Sequence, residues 1–495
     1  MATSDRSVRH VKFTFFDNRL YDYIDGFTRK LGEARKHEAN PLMKPELPHE
    51  YKRLHYYGSA LYDEDEGVYK TWYSSHFYEK AMSEADKRAA SYLNYAYSPD
   101  GVRFVRPELD KVPGTNIVLG EEDRTHGPSV IKDDADPDPS RRYKLAMAPY
   151  GGDCSIYMYA SPDGFAWRQL FDGPVIKVHS DCHIGFYRDP DTGLYRISFR
   201  TRIPDRRVWI AESADLAHWS RPVLAIEPDQ LDDCDVQFYG MQMTPYGAYT
   251  IGLLSMYYTY DYKTDPRYNK MAGTMDIQLA YSRDGFGWHR CMQGERLVGL
   301  GAPGEWDSLC LTPSSTVIYR PDRMVIYYTG WPVDHSGYGS LPYDEQPLEC
   351  IGAAELRPDG FVLLEAGPAP AELMTRPFAV EDGELYVNAA VAADEDALVA
   401  VELCDTNGEA LPGYSYADHI PLRGDGIQPV QWRGQPDPEL LRRQIIRVRM
   451  RAVKAQLYAF GFPQGDDPAV YWRFKEISCL DPLRYDVAPA EEGAS

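Results

Sequence analysis

The sequence predicts an all-β protein, a five-bladed β-propeller followed by a C-terminal β-sandwich. Three observations predict this fold class: a short hairpin motif that recurs five times, an apolar hairpin before every copy, and a change of strand rhythm towards the C-terminus. We expect an N-terminal extension over residues 1–44, the propeller over 45–372, the sandwich over 373–482 and a flexible tail over 483–495.

The hairpin motif consists of an apolar strand, a turn with a central aspartate and a second strand. An Asp-Gly pair between two apolar strands is typical of a β-hairpin turn, and Asp-Leu takes its place in the third copy. The five turn aspartates are spaced 63, 52, 69 and 75 residues apart, and they are Asp100, Asp163, Asp215, Asp284 and Asp359.

A second hairpin precedes each copy, and it also joins two apolar strands through a turn rich in Asp, Pro or Gly. Two hairpins supply four antiparallel strands, and a four-stranded sheet repeated at this interval is typical of a propeller blade. Five copies therefore predict five blades, and the uneven intervals predict loops of unequal length.

The strands of the predicted sandwich lack the hairpin motif and are separated by longer polar loops. They are Gly383–Val391, Leu398–Cys404, Ile445–Val453 and Ala455–Phe462. Residues 12–32 near the N-terminus also contain strand-like segments. The sequence leaves open whether these segments lead into the first blade or pack against the sandwich.

Composition places the chain among soluble globular proteins, because 43% of its 495 residues are hydrophobic and 26% are charged. No run of about 18 apolar residues predicts a membrane span, and the N-terminus lacks the apolar core of a secretion signal, so we expect a cytoplasmic protein. The net charge of −22 argues against nucleic acid or an acidic membrane as a partner. The eight cysteines form no C-x-x-C pair, which favours reduced thiols over disulfides or a zinc site.

In a propeller the first strand of every blade lines the central channel, and all of these strands run in the same direction. Residues at or just before their starts, which we call the entries, therefore meet at one mouth of the channel, although they are far apart in sequence. The five entries carry polar and aromatic residues that we expect to bind substrate or act on it: Glu50, Tyr56 and Tyr57 in the first, Asp123, Arg124 and His126 in the second, Asp181 and His183 in the third, Asp235, Gln237 and Tyr239 in the fourth, and Glu305, Trp306 and Asp307 in the fifth.

Paired carboxylates at one mouth are typical of glycosidic cleavage. One protonated acid gives its proton to the leaving oxygen, while an ionised partner attacks the anomeric carbon or activates water. We expect Asp181 and Asp235 to act as base, nucleophile or stabilising carboxylate and Glu305 as acid, with Asp307 as its closest competitor. The aromatic rings would stack on sugar faces, and His and Arg would bind hydroxyls.

Each of these residues also has an ordinary structural explanation as a core, cap or turn residue, and the sequence does not choose between the two. We expect no cofactor and no catalytic metal. A structural calcium ion would suit so many acids around one channel, but no motif requires one.

Five further segments carry a resemblance to a known superfamily: Asn40–Leu42, Gly114–Leu119, Asp136–Lys144, Gly301–Asp307 and Gly383–Asn388. With them the chain resembles the five-bladed β-propeller glycoside hydrolase superfamily, in particular bacterial proteins similar to families 32 and 43. The resemblance covers nearly the whole chain, and it implies furanosidase chemistry on fructosides or arabinosides with three acids around the mouth.

The chain departs from those families at the start of the first blade. The families carry an aspartate there, in a motif such as Asn-Asp-Pro-Asn, whereas this chain has only Glu50 and the pair Tyr56 and Tyr57. The family's nucleophile or base therefore has no counterpart to which its role could be transferred.

We therefore predict a glycoside hydrolase that acts on short oligosaccharides or glycosides. A transglycosylase or phosphorylase stays open, although a phosphorylase needs basic residues for phosphate and only Arg124 is evident at the mouth. A non-catalytic carbohydrate-binding or scaffold propeller is the alternative from another class. The sequence leaves the oligomeric state open, a homo-oligomer included.

Overall fold

The computed structural model describes residues 12–77, 91–149, 155–178, 180, 183–190, 192–201, 205–247, 249–261, 272–335, 341–380, 384–437, 441 and 444–462. Within these ranges the chain forms 32 β-strands, short 3₁₀ turns and no α-helix. The all-β class predicted from the sequence is confirmed. No helix in the described ranges is long and apolar enough to cross a membrane.

The strands are numbered in the order in which they follow one another along the chain. The first twelve are β1 (Lys12–Phe13), β2 (Tyr21–Asp25), β3 (Phe27–Leu31), β4 (Arg35–Lys36), β5 (Leu54–Asp63), β6 (Val68–His76), β7 (Ser91–Ser98), β8 (Ile117–Leu119), β9 (Ser129–Lys132), β10 (Tyr143–Met147), β11 (Tyr157–Ser161) and β12 (Arg168–Gln169). The next twelve are β13 (Gly185–Arg188), β14 (Tyr195–Thr201), β15 (Arg207–Ser213), β16 (Val223–Ile226), β17 (Val236–Tyr246), β18 (Tyr249–Asp261), β19 (Ala272–Ser282), β20 (Trp288–Arg290), β21 (Cys310–Pro313), β22 (Ile318–Tyr319), β23 (Met324–Trp331) and β24 (Cys350–Leu356). The last eight are β25 (Val362–Ala366), β26 (Ala371–Thr375), β27 (Phe378–Ala379), β28 (Tyr386–Val391), β29 (Leu398–Cys404), β30 (Asp425–Pro429), β31 (Ile445–Val453) and β32 (Ala455–Gly461).

The chain forms two compact units. The larger unit contains the described residues of 34–319 and 323–355, and the smaller unit contains those of 1–33, 320–322 and 356–495. The boundaries predicted from the sequence at residues 44, 372 and 482 stay predictions. The contacts divide the chain after residue 355, because the strands that follow pair with the N-terminal strands β1–β3.

Most strands of the larger unit form sheets of consecutive strands. β5–β8, β9–β12 and β13–β16 each form a four-stranded sheet with antiparallel pairing. β17–β24 and β4 form one nine-stranded sheet. Within it, β17–β20 and β21–β24 are joined by a parallel bridge between Met275 and Cys310.

The aspartates of the first four hairpin copies build the same turn. Asp100 Oδ1 accepts hydrogen bonds from the backbone N–H groups of Val102 and Arg103, at 2.9 and 2.8 Å, and from the Ser98 hydroxyl at 2.8 Å. A carboxylate that binds the backbone two and three residues further on holds the turn in place, which explains why the motif repeats an aspartate. Equivalent bonds are made by Asp163, Asp215 and Asp284.

Hydrogen bonds link neighbouring groups of strands in the larger unit. The Val130 N–H of β9 donates to Ser59 Oγ of β5 at 2.7 Å. The Ser198 hydroxyl of β14 donates to the Met241 carbonyl of β17 at 2.6 Å. The Ser315 N–H, just after β21, donates to the carbonyl of residue 58 in β5 at 3.1 Å. The last group of strands therefore contacts the first.

The smaller unit contains two sheets. One has the order β3–β25–β32–β28–β30 with β1 paired to β32, and the other has the order β2–β26–β31–β27 with β29 paired to β31. The question left open by the sequence is thereby answered, because residues 12–31 pair with the C-terminal strands. The Phe13 ring lies 4.8 Å from the Phe378 ring and 4.7 Å from the Phe460 ring, in the core of this unit.

The fifth hairpin copy differs from the other four. Asp359 lies in the smaller unit, is 4% exposed and has a φ of 63°. It forms a buried ion pair with Lys12 and accepts a hydrogen bond from Asn388 Nδ2 at 3.0 Å. β25, which follows it, pairs with β3 and β32. The fifth copy therefore forms a turn at residues 358–361, but its two strands lie in different sheets, so the hairpin that the repeat predicted is not formed and Asp359 is a buried anchor.

Candidate functional site

Side chains from several entry segments of the larger unit meet around Tyr57. Its ring centroid lies 5.9 Å from that of His126 and 5.8 Å from that of His183. Its hydroxyl lies 2.7 Å from the hydroxyl of Tyr239, which in turn lies 3.0 Å from Nε2 of His335. We refer to these five residues as the mouth cluster. They come from β5, from the segments before β9 and β13, from β17 and from the segment after β23.

Two of the contributing strands are bulged at the mouth cluster. The register of β5 against β6 shifts between His55 and Ser59, and that of β17 against β18 shifts between Phe238 and Gly240. Bulges redirect side chains and are common beside active sites. Glycine is required at residue 240, because a Cβ there would lie only 2.7 Å from the Cβ of His183.

His183 is held in place by its backbone and by its burial. Its φ of 72° lies in the left-handed region, where a side chain is strained, and the residue is 2% exposed. Burial lowers the pKa of His183 to about 3, so its ring is neutral at neutral pH. Nε2 lies 3.0 Å from the Pro313 carbonyl and therefore carries the proton, which leaves Nδ1 to accept from Ser255 Oγ at 3.5 Å.

The hydrogen bonds of the mouth cluster continue beyond His335. Its Nδ1 lies 3.2 Å from the hydroxyl of Tyr257, so the imidazole is placed between two phenols. The chain therefore runs from Tyr57 through Tyr239 and His335 to Tyr257. Tyr57 is half-buried, whereas Tyr239 and Tyr257 are 3% and 0% exposed.

Two buried arginines flank these phenols. The guanidinium carbon of Arg200 lies 4.4 Å from the Tyr239 ring centroid. That of Arg206 lies 5.7 Å from the Tyr239 ring and 5.3 Å from the Tyr257 ring, and its Nη1 donates to Gln237 Oε1 at 2.8 Å. Burial raises the pKa of Tyr257, and the arginines oppose this rise because they favour the phenolate.

A buried ion pair contacts β5 beside the mouth cluster. Glu349 is fully buried, with Arg53 Nη2 2.5 Å from one carboxylate oxygen and His55 Nδ1 3.0 Å from the other. Although burial opposes ionisation, Arg53 and His55 lower the pKa of Glu349 to about 2. Burial lowers the pKa of His55 despite Glu349, so Nε2 of the neutral ring accepts from the Thr312 hydroxyl at 3.4 Å. The His55 ring in turn lies 4.0 Å from the Tyr57 ring.

The predicted catalytic acids do not share one environment. Asp181 lies outside the described residues. Asp235 is half-buried directly before β17, and its carbonyl accepts a hydrogen bond from the Thr259 hydroxyl. Glu305 is exposed, and its Oε2 closes a local turn by accepting from the Ala302 N–H at 2.7 Å.

Asp307 is 1% exposed and engaged in structural contacts. Its Oδ2 accepts from Lys36 Nζ at 2.6 Å and from the Tyr328 hydroxyl at 2.9 Å. The ring of Trp306 stacks on Tyr328, with centroids 5.6 Å apart and an angle of 17°. Both side chains therefore have partners within the fold, and the acid role of Asp307 and the sugar contact of Trp306 stay predictions.

Glu50 has a complete set of partners inside the protein. It is fully buried, and its Oε1 accepts from the Tyr73 hydroxyl at 2.6 Å and from Arg106 Nε at 2.7 Å. Its Oε2 accepts from the N–H groups of Glu46 and Leu47 at 2.8 and 3.0 Å. The carboxylate predicted to bind substrate in the first entry therefore anchors the chain before β5.

The other predicted binding residues also separate into groups. The Tyr56 ring is buried in the core, and its hydroxyl lies 2.8 Å from Thr71 Oγ1, which corrects its prediction as a binding residue. Asp123 Oδ2 accepts from the N–H of residue 120 at 2.8 Å, and Arg124 is exposed with a φ of 52°. Of the residues predicted from the entries, the structure brings together Tyr57, His126, His183, Gln237 and Tyr239.

Sequence reasoning missed four residues of this region: Arg200, Arg206, His335 and Glu349. Arg200 lies near the end of β14, Arg206 lies just before β15, and His335 and Glu349 lie between β23 and β24. The hairpin repeat, in contrast, directs attention only to the starts of the first strands. His335 alone could have been found from the sequence, because it is a polar residue that follows shortly after the apolar strand Met324–Trp331, which is fully buried. Among the described residues, no three His, Cys, Asp or Glu side chains are arranged to hold a metal ion.

No family model matches the sequence, and no curated protein matches it. Among solved structures, the chain is similar to a glycosyl hydrolase from Bacteroides ovatus, with 15% identity over 66% of this chain and 94% of that one and a TM-score of 0.43. It is also similar to the β-1,2-mannobiose phosphorylase from Listeria innocua (15% identity, 66% and 96% covered, TM-score 0.43). A third similar structure is the α-L-arabinofuranosidase from Podospora anserina in complex with cellotriose (12% identity, 66% and 96% covered, TM-score 0.41). At these values the similarity assigns neither a family nor a substrate to this chain.

Proposed function

We propose that the larger unit is a five-bladed β-propeller and that the smaller unit is a β-sandwich. Three four-stranded sheets and the two halves of the nine-stranded sheet supply five groups of strands. The hydrogen bond from Ser315 to β5 supports closure of these groups into a ring. The two sheets of the smaller unit support the sandwich.

We propose that the mouth cluster binds a carbohydrate and that the protein cleaves glycosidic bonds there. One observation carries this proposal: five chain segments that are far apart in sequence place phenol and imidazole groups within hydrogen-bond or ring contact of one another around Tyr57. Phenols and neutral imidazoles offer both donors and acceptors, and sugar hydroxyls need both.

Asp235 is the described carboxylate that we propose as base, nucleophile or stabilising group. It lies directly before β17, three positions before the phenylalanine of the bulge, and it is half-buried, so water can still reach the site. Cleavage also needs a proton for the leaving oxygen. The sequence predicts Glu305 for that role, and Asp181, on its position in the sequence, stays our second candidate for base, nucleophile or stabilising group.

For the substrate we propose short oligosaccharides or glycosides of fructofuranose or arabinofuranose, as the sequence resemblance implies, and a cytoplasmic location. A phosphorylase is the second candidate function, because the buried Arg200 and Arg206 beside Tyr239 supply the basic groups that a phosphate-dependent cleavage needs.

A panel of aryl glycosides of arabinofuranose, fructofuranose and the common pyranoses tests the function, with and without inorganic phosphate. We expect turnover of at least one member, a loss of about 100-fold or more for Asp235→Asn, and wild-type rates for the exposed control Asp110→Asn. Turnover that requires phosphate would favour the phosphorylase. Sugar binding without turnover would favour the carbohydrate-binding propeller, and neither binding nor turnover would overturn the proposal.

A further inference from the structure

We propose that Tyr57 is the general acid of the glycosidase and that Tyr239, His335 and Tyr257 form a relay that resupplies its proton. The inference rests on the proposed function and names a catalytic residue for it. Glu305, for which the sequence predicts this role, is exposed and closes a local turn, and the mouth cluster offers a second candidate for the proton donor.

The geometry of the chain points to Tyr57 as its outer end. The successive heavy-atom distances are 2.7 Å from Tyr57 Oη to Tyr239 Oη, 3.0 Å from there to His335 Nε2, and 3.2 Å from Nδ1 to Tyr257 Oη. All three lie within hydrogen-bond range. Tyr57 is the half-buried member, whereas the other two phenols are buried.

One tautomer of the neutral imidazole allows a direction in which Tyr57 donates. A neutral ring has one N–H and one acceptor nitrogen, so it accepts from one of its two phenols and donates to the other. If Tyr257 donates to Nδ1, then Nε2–H donates to Tyr239, Tyr239 donates to Tyr57, and the Tyr57 hydroxyl donates to a ligand. In this direction Tyr57 is a proton donor.

Proton transfer along this direction is balanced. The glycosidic C1–O bond breaks, and the leaving oxygen takes the proton of Tyr57. Tyr57 takes the proton of Tyr239, Tyr239 takes that of Nε2, and Nδ1 takes that of Tyr257. The His335 imidazole changes tautomer and stays neutral, and Tyr257 is left as a phenolate. The proton that the attacking water later loses to its base passes through solvent to the half-buried Tyr57, and the relay then runs in reverse, so that Nδ1 of His335 returns a proton to Tyr257.

Two arginines near the inner end offset part of the cost of forming this phenolate. The guanidinium of Arg206 lies 5.3 Å from the Tyr257 ring centroid, which stabilises the phenolate, and Arg200 acts in the same direction. Asp334 and Cys310 also face Tyr257 and oppose the phenolate when they are ionised. Burial raises the pKa of Tyr257, so the resting residue is protonated and ready to donate.

Leaving-group dependence tests the acid role, because a 2,4-dinitrophenolate departs without protonation and a phenolate departs poorly. The probes are the phenyl and 2,4-dinitrophenyl α-L-arabinofuranosides, or the same two aglycones on whichever sugar the panel identifies. For Tyr57→Phe we expect a loss of about 100-fold or more in kcat/KM on the phenyl glycoside and of less than about threefold on the dinitrophenyl glycoside. Tyr239→Phe and His335→Phe should show the same contrast, reduced to about tenfold.

Tyr56→Phe is the matched control, because this adjacent phenol is buried in the core and should keep the wild-type ratio of the two rates. The ratio is measured within each variant, so a smaller folded fraction does not change it. If the wild type cleaves neither glycoside of any sugar, the proposed function is overturned. Wild-type activity on both, together with an unchanged ratio in Tyr57→Phe, would overturn the acid role and leave the glycosidase standing.

Discussion

Replacing Glu349 with Gln should lower the unfolding free energy by about 3 kcal/mol at neutral pH. The carboxylate is fully buried, and its oxygens lie 2.5 Å from Arg53 and 3.0 Å from His55. Burial opposes ionisation, but these partners lower the pKa of Glu349 from 4.5 to about 2. At about 1.4 kcal/mol per pKa unit this corresponds to about 3 kcal/mol. The cost agrees with the roughly 3–5 kcal/mol lost when one partner of a buried ion pair is removed.

The direction of the pKa change determines the pH dependence. Because the folded pKa of Glu349 lies below the unfolded one, its stabilisation is complete above about pH 4.5 and is lost as the pH falls towards about 2. Urea unfolding of the larger unit at several pH values measures this, with the exposed Glu108→Gln as a matched control. We expect the difference between the wild type and Glu349→Gln to narrow on acidification. A difference below about 1 kcal/mol at neutral pH, or one that does not change with pH, would refute the reasoning.

Three further predictions concern the mouth cluster and the neighbouring core. Gly240→Ala should cost about 1–3 kcal/mol in thermal unfolding, because its Cβ would lie 2.7 Å from His183, whereas Gly299→Ala, with open space around it, should be neutral. Asp307→Asn should cost about 3 kcal/mol or more because it leaves Lys36 without its buried partner, and a urea midpoint equal to the wild type would contradict this. Acidification below about pH 6.5 should destabilise the fold, because the unfolded chain protonates His183 while its folded pKa is about 3. His183→Gln should flatten this decline by up to about 1.4 kcal/mol per pH unit in urea titrations.

The hairpin repeat shows which part of the fold was predictable. In the first four copies the aspartate binds atoms two and three residues away, as Asp100 binds Val102 and Arg103, so the local sequence contains the whole interaction. The fifth copy has the same Asp-Gly motif, but Asp359 forms an ion pair with Lys12, near the other end of the chain. Local chemistry predicts the turn, which does form at residues 358–361, but the strand after it, β25, pairs with β3 and β32 and not with the strand before it.

The same distinction applies to the candidate site. The entry positions led to Tyr57, His126, His183 and Tyr239, because each of them lies in or just before the first strand of its group. The surroundings of Asp307, at one of the same positions, were not predictable, because its partners are distant in sequence. Asp307 pairs with a lysine 271 positions away, and no pattern around Asp307 reveals that partner.

The cost of burial explains why the mouth cluster is built from phenols and imidazoles. A buried carboxylate stays ionised only with a cation beside it, as Glu349 does with Arg53. A neutral histidine such as His183 needs only hydrogen bonds, and it leaves its surroundings free of counter-ions. A polar mouth made of such groups can therefore enclose a neutral, hydroxyl-rich ligand. Under the proposed function the carboxylate that must keep its charge is Asp235, which is half-buried and so stays in contact with water.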